Sequence, residues 1–198
     1  MTWLEPVTLR GTHALLVPLS HSHHDDLVEA VKDGELWKLW YTMVPEPAKM
    51  RAEIDRRLDL QNRHSMLPFA VIDPQSSKAV GVTSYMNVDE PNRRVEIGST
   101  WYRKSVQRTA LNTECKLMLL THAFEKMNCI CVELRTHFFN HQSRRGIERL
   151  GAKLDGILRS NQIAPNGTIR DTCVYSIIAS EWPTVKAHLT WQLSKPRG

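Results

Sequence analysis

The chain has 198 residues, 41% of them hydrophobic and 24% charged, with a formal net charge of +5. These values exclude a disordered or fibrous chain and fit a single domain over 1–198, which at this size buries about 70% of its unfolded surface. No apolar run approaches the ~20 residues of a membrane span, so no membrane partner is expected.

Residues 7–19 read as a first strand with a kink at Gly11. From about 23 to 42, Leu27, Ala30, Val31, Leu36, Leu39 and Trp40 outline one or two short amphipathic helices, interrupted at Asp33-Gly34. Pro45 and Pro47 end that run, and residues 48–63 form another helix through Met50, Ile54, Leu58 and Leu60, with its Arg, Glu and Asp residues outermost. The middle is β: a strand at 69–72, the turn Asp73-Pro74-Gln75-Ser76-Ser77, a return at 79–86, and a third run at 94–102 after Pro91-Asn92. In that third run Val95, Ile97 and Trp101 alternate with Glu96, Gly98 and Thr100, so the three make an antiparallel meander.

The clearest helix spans about 109–126, where Leu111, Cys115, Met118, Leu119 and His122 fall at i, i+4, i+7, i+8 and i+11. A strand (129–136), a helix (141–149), two strands (152–159 and 170–179) and a short helix (181–190) complete the chain. The class is α+β: a mixed, mainly antiparallel sheet with helices laid on it and one strand–helix–strand crossover at its centre.

Four cysteines are too few for a disulfide scaffold. Cys129 and Cys131, in Cys-Ile-Cys-Val-Glu-Leu, read as buried thiols on one face of a strand, and no zinc spacing occurs. His21, His23 and His24 read as exposed histidines at a helix start, and no metal is expected. The pI is near 9.1, but the basic residues are spread along the chain, which argues against a nucleic-acid interface. The start, Met1-Thr2-Trp3-Leu4-Glu5-Pro6, lacks the basic and apolar parts of a signal peptide, and a cytoplasmic protein is expected.

Chemistry is expected at the crossover. There the strand ending at Tyr102 leads through Arg103-Lys104-Ser105-Val106-Gln107-Arg108 into the long helix, whose N-terminus offers free amides and the positive end of its dipole to phosphate. Thr109 and Asn112 suit its first turn, with Thr113 and Glu114 close behind. An ordinary capped helix would carry the same residues.

Residues 94–126 resemble the acetyl-CoA-binding core of the GNAT superfamily of N-acetyltransferases, within it the subgroup that includes the ribosomal-protein alanine acetyltransferases. The likeness is carried by Glu96-Ile97-Gly98-Ser99-Thr100-Trp101-Tyr102 and by Gln107-Arg108-Thr109-Ala110-Leu111-Asn112, which aligns with the family's loop Gln/Arg-x-x-Gly-x-Gly/Ala. A second block, Asn140 to Ala152, resembles the subgroup's Asn-x-x-Ser … Glu-x-Leu-Gly-Phe. The resemblance implies a GNAT-like domain with acceptor-side helices at about 23–63 and an acetyl-CoA core at about 94–151. It implies acetyl transfer, without a metal, from acetyl-CoA to a primary amine of a small molecule or a protein N-terminus, and homodimers are common among relatives.

On this resemblance the pyrophosphate lies against Gln107, Arg108, Thr109, Ala110, Leu111, Asn112 and Thr113, and pantetheine pairs with the backbone of Thr100, Trp101 and Tyr102. One amide of that strand polarises the thioester, while the two aromatic side chains belong to the core. Glu96 is the expected base, its alternative being a strand carboxylate paired with Arg94 or a cross-strand Arg. Asn140 binds pantetheine or caps its helix, and Ser143 protonates or solvates the leaving thiolate. Arg103, Lys104, Arg144 and Arg145 meet CoA phosphates or are solvated surface charge, and Leu36-Trp37-Lys38-Leu39-Trp40-Tyr41 walls the acceptor pocket. Ala110 replaces the loop's first glycine and Asn112 stands where Gly or Ala is usual. Since glycine suits close backbone approach, the alternative is a catalytically impaired acyl-CoA-binding or interaction protein on the same fold.

Overall fold

The alternating apolar runs pair into one eight-stranded sheet, seen in a computed structural model that describes residues 3–195. Met1 and Thr2, part of the start read for a leader, and residues 196–198 lie outside the described residues. The strands are β1 (Leu9–Arg10), β2 (Leu15–Pro18), β3 (Met66–Asp73), β4 (Lys78–Asp89), β5 (Arg94–Tyr102), β6 (Cys131–His137), β7 (Lys153–Ile163) and β8 (Ile169–Ile178). The helices are α1 (His24–Lys32), α2 (Met50–Asn62), α3 (Ala110–Glu125), α4 (His141–Arg149) and α5 (Trp182–Ser194). Strand order is β1-β2-β3-β4-β5-β6-β8-β7, antiparallel throughout except for β5 and β6. That parallel pair is joined through α3, the expected central crossover.

The two faces of the sheet carry separate apolar clusters. Leu27, Val31, Met50 and Ile54 of α1 and α2 pack on Ala70, Val82 and Trp101. On the other face Leu111, Cys115 and Leu119 of α3 and Leu189 of α5 pack on Phe69, Tyr85, Val95, Ile97 and Ile177. Each fully buried Leu or Ile contributes roughly 1.5–3 kcal/mol. The Tyr85 hydroxyl donates to the Leu119 carbonyl (2.5 Å), fixing α3 over the meander. Among the described residues no helix is long and apolar enough to cross a membrane.

Three local expectations need correction. Residues 7–19 are two strands: β1 folds back on β2 through a tight turn in which Gly11 N–H donates to the Ala14 carbonyl (2.9 Å). The cause lies over a hundred positions away. The buried Glu114 carboxylate of α3 accepts from the amides of Thr12 (2.9 Å), His13 (2.6 Å) and Ala14 (2.8 Å). A Cβ at position 11 would collide with that carboxylate, so glycine is required there.

The charges of α2 are not all outermost: Met50, Ile54 and Arg57 are its buried residues, and the Arg57 side chain is only 2% exposed. Cys129 and Cys131 do not share a strand face. β6 begins at Cys131, which lies on the Glu133 side, while Cys129 precedes the strand and joins the α3 cluster. All four thiols are free and buried, and burial pushes Cys115 and Cys129 up to about 12.

Charge-assisted hydrogen bonds are each worth about 1.5–3 kcal/mol, and Glu114 accepts three of them. Glu114→Ala is therefore expected to lower unfolding free energy by about 3 kcal/mol, measured by urea titration. Gly11→Ala should destabilise through the same turn.

Candidate active site

β5 and β6 are paired only from Arg94↔Cys131 to Glu96↔Glu133. Beyond Glu96 they part, leaving the β6-facing edge of residues 97–102 without a strand partner. The divergence coincides with a bulge. Val82 faces Trp101 and Ser84 faces Gly98, so Thr83 alone opposes both Ser99 and Thr100, and Ser99 takes a left-handed φ of 50°.

Arg57 holds this bulge from the α2 side. Its guanidinium donates to the Ser99 carbonyl (2.9 Å), Ser99 Oγ (2.8 Å) and Ser84 Oγ (2.9 Å), and its Nε reaches Glu53 (2.7 Å). Burial opposes ionisation of Glu53, but Arg56 and Arg57 together hold its pKa below the ordinary carboxylate value. Lys116 of α3 meets the bulge from the opposite face. Its ammonium donates to Thr100 Oγ1 (3.1 Å) and Thr83 Oγ1 (3.5 Å), the two hydroxyls lying 2.7 Å apart. No carboxylate forms an ion pair with Lys116 among the described residues, and burial pushes its pKa down to about 8.

Glu96 is the last paired residue of β5 on that edge and is 5% exposed. Its carboxylate accepts from Asn87 Nδ2 (2.6 Å) and lies 3.6 Å from Arg135. Arg94 instead pairs with Glu133. Burial raises the Glu96 pKa, and the Asn87 bond and the charge of Arg135 only partly offset it. A buried carboxyl group with a raised pKa at the fork of two strands suits a proton acceptor.

α3 starts at the mouth of the fork. Thr109 is its N-cap, its hydroxyl accepting from Leu111 N–H (3.3 Å) and donating to the Val106 carbonyl (2.7 Å). The other first-turn amides have no intrahelical acceptor. Gln107 Nε2 donates to the Tyr102 carbonyl (2.9 Å), so this side chain anchors the loop to β5. Arg108 (φ 62°) and Thr109 are exposed, whereas Ala110 and Leu111 are buried and Thr113 accepts from Arg149 (3.1 Å). This donor set fits a diphosphate. There is no proline from 103 to 113, and Ala110, at 6% exposed, packs inward instead of filling the exposed loop. Trp101 and Tyr102 are both buried, Trp101 against the α1–α2 cluster and Tyr102 against the α3 cluster.

The second sequence block lies at the far side of the fork. Asn140 caps α4, its Oδ1 accepting from Ser143 N–H (3.0 Å). Arg103 is tied to Asp33 (3.1 Å), and Arg144 donates to the Tyr175 hydroxyl (3.1 Å) over the Phe138 ring, so both have protein partners. Lys104 and Arg145 are exposed. Trp40 is half exposed, Tyr41 lies beside it, and Trp37 packs into the α1–α2 cluster.

The histidines at the start of α1 divide among separate partners, His21 with Asp55 and His24 with Asp25. Among the described residues no group of His, Cys, Asp and Glu could hold a metal ion. A cavity of about 670 Å³ between α4 and α5, lined by Arg149, Glu181 and His188, contains none of the expected site residues. Sequence reasoning missed Arg57, Lys116 and Glu114 as site-shaping groups. Of these only Arg57 carried a signal, since it falls at i+7 from Met50 and i+3 from Ile54, on the inner face of α2.

The forked β5–β6 pair with a helix N-terminus at its mouth fits a ligand that carries a diphosphate and an extended arm. The profile of the acetyltransferase (GNAT) domain family matches residues 13–153, and the chain belongs to this family. A Bacillus subtilis protein named "Putative ribosomal N-acetyltransferase YdaF" is 32% identical over 102 residues, 52% of this chain and 55% of that protein. The match thus spans little more than half of that relative's length. The crystal structure of a GCN5-related N-acetyltransferase from Brucella melitensis superposes with a TM-score of 0.86 at 28% identity, covering 96% of this chain and 87% of the other. Mycobacterium smegmatis RimJ, solved with CoA-disulfide, shares the fold at 18% identity and a TM-score of 0.80, covering 94% and 95%.

The folded Lys116 amine releases its proton near 8, against 10.5 for an unperturbed lysine. Between these values the unfolded chain binds more protons, so this group makes stability rise with pH. Lys116→Met should therefore stabilise the protein below pH 8, by about 2 kcal/mol, and the gain should shrink as pH climbs through that window. Urea titrations at pH 7 and pH 10 check this.

Proposed function

We propose that this chain transfers the acetyl group of acetyl-CoA directly to a primary amine of a small molecule or a protein N-terminus, within a ternary complex. The observation that carries this reading is the parting of β5 from β6 beside an N-terminus of α3 whose amides lack internal acceptors. Acetyl-CoA would supply an activated acetyl thioester. The amides from Gln107 to Thr113 would hold its diphosphate, and the open edge of Thr100, Trp101 and Tyr102 would pair with its pantetheine arm. An edge amide of that segment would donate to the thioester oxygen as charge builds there, a contact of this kind being worth roughly 3–4 kcal/mol.

In the transfer, the neutral amine nitrogen bonds to the carbonyl carbon and the carbon–sulfur bond breaks. The surplus amine proton passes to Glu96, directly or through water; the thiolate is solvated by the Ser143 hydroxyl or takes its proton, and water carries the proton from Glu96 back to Ser143, so that both groups return to their starting states. Asn140, whose Oδ1 caps α4, keeps its Nδ2 for the pantetheine amides. The alternative of an impaired binder rested on Ala110 and Asn112; the inward packing of Ala110 and the half-buried position of Asn112, which keeps its backbone N–H, favour binding over it.

The unit extends over 1–198 in this reading. Buried free thiols suit the reducing cytoplasm. The outer strand β7, with Leu154, Ile157, Leu158 and Ile163 exposed, suits a homodimer.

Acetyl-CoA at a hundredfold excess over its Kd should add about 2.7 kcal/mol to stability. Thiol release should follow with a subset of an amine panel. The Glu96 pKa is raised, and only the ionised form accepts a proton. Hence kcat/KM should climb with pH along a limb above the ordinary carboxylate value of 4.5. Glu96→Gln should abolish that limb and cost about 10²–10⁴ in rate, while Ser143→Ala should cost on the order of tenfold to a hundredfold. No response to acetyl-CoA in either assay overturns the reading.

A further inference from the structure

Among the described residues four buried side-chain polar atoms lack a hydrogen-bond partner, on Gln61, Trp101, Tyr102 and His137, and the last is the one ringed by aromatic side chains. His137 ends β6 and is 4% exposed. Its Nδ1 accepts from the Phe139 amide (3.1 Å), which places the proton of the neutral ring on Nε2. Nε2 is buried and makes no hydrogen bond. Three aromatic rings surround the imidazole: Trp40 at 5.1 Å, Phe139 at 5.8 Å and Tyr41 at 6.4 Å between centroids. Trp40 and Phe139 are themselves 50% and 56% exposed, so the rim of the collar faces solvent while Nε2 lies beneath it and is reached when a rim side chain turns aside.

A second donor stands beside it. His137 faces Thr172 across β6 and β8, and Arg170 lies two residues along on the same face, its Nε donating to Thr172 Oγ1 (3.1 Å). Arg170 is half-buried, and among the described residues no carboxylate forms an ion pair with it. The nearby acids are otherwise engaged. Asp171 is turned toward β7, accepting from Ser160 N–H (2.7 Å) and lying 3.6 Å from Arg159. Glu133 takes Arg94 and Arg135. Glu96 acts on Arg170 by charge alone, and Arg170 in turn acts on His137. On the Glu96 side of the sheet, then, a half-buried guanidinium that makes no ion pair among the described residues and feels Glu96 only at a distance lies diagonal to an unused N–H, the two kinds of donor a carboxylate takes.

We propose that Arg170 and the Nε2–H of His137 bind the carboxylate of the acceptor, which is a free α-amino acid with an apolar or aromatic side chain lying against Trp40 and Phe139. This inference rests on the transferase reading and chooses within it. The carbonyl after a peptide N-terminus is neutral and would satisfy His137 while leaving Arg170 without its anion.

The test is thiol release from acetyl-CoA with phenylalanine, leucine, their carboxamides, phenethylamine, and short peptides beginning with the same residues. Phenylalanine or leucine should exceed its carboxamide and the matching peptide at least tenfold in kcat/KM. Arg170→Gln should raise KM for the free acids at least tenfold more than KM for the carboxamides, and Arg170→Lys should restore part of the difference. Equal use of acid and amide, preference for the peptide, or an equal loss on both substrates in Arg170→Gln overturns the proposal. If acetyl-CoA binds and amines without a carboxylate are acetylated best, the transferase reading survives and this inference fails. Calorimetry with N-acetylphenylalanine and its carboxamide, without acetyl-CoA, decides the case in which no amine is acetylated. Tenfold tighter binding of the acid, lost in Arg170→Gln, upholds the receptor, and no such difference removes it.

Discussion

Everything in the site depends on two neighbouring strands being held apart. Parallel strands zip together unless something prevents it, because each unpaired amide and carbonyl carries a cost. Here the pairing of β5 with β6 stops at Glu96 and Glu133, and the bulge at Ser99–Thr100 turns β5 aside. The carbonyls that would suffer are given other partners: Ser99 by the Arg57 guanidinium, Tyr102 by the Gln107 amide. The fork is therefore stabilised on its inner edge by side chains from α2 and from the loop before α3, and its remaining edge groups are left for a strand-like ligand.

The sheet divides labour between its faces. Toward α3 the bulge presents Thr83 and Thr100 to the Lys116 ammonium. Toward α2 it presents Ser84 and Ser99 to Arg57, and next to these stand Glu96, Arg135 and Arg170. A reaction between a thioester entering from one side and an amine entering from the other needs such an asymmetric partition, with the proton acceptor on the amine's side. Breaking a buried pair such as Arg57–Glu53 costs about 3–5 kcal/mol, because one charge is left without compensation. The opening is thus as strongly specified as the apolar core.

Much of this was legible in the chain. The meander, the long helix and the crossover follow from period-2 and period-3.6 patterns that neighbouring residues enforce locally. The loop at 107–113 and the Asn140–Ser143 pair came from the family resemblance, since spacing along each helix start fits an ordinary capped helix equally well. What could not be read are contacts between residues distant in sequence. Glu114 decides that residues 7–19 fold as two strands, and nothing near Gly11 announces it. Lys116 adjoins a buried Cys115 in an apolar stretch, so its position shows a charge but not that two threonines from other strands receive it. Arg57 was partly visible, since helical spacing put it inward, but charge alone argued the opposite. His137 and Arg170 lie on separate strands whose pairing sets them side by side.

The four sealed thiols bear on the chain's own chemical fate. A cysteine exchanges with a thioester only as its thiolate, and free cysteine has a pKa of about 8.5. Cys115 and Cys129 stand near 12, and Cys131 and Cys173 are shifted in the same direction by burial. A domain proposed to hold an acyl thioester would thus keep its own sulfur protonated, and its acyl groups would be spared capture by self-acylation.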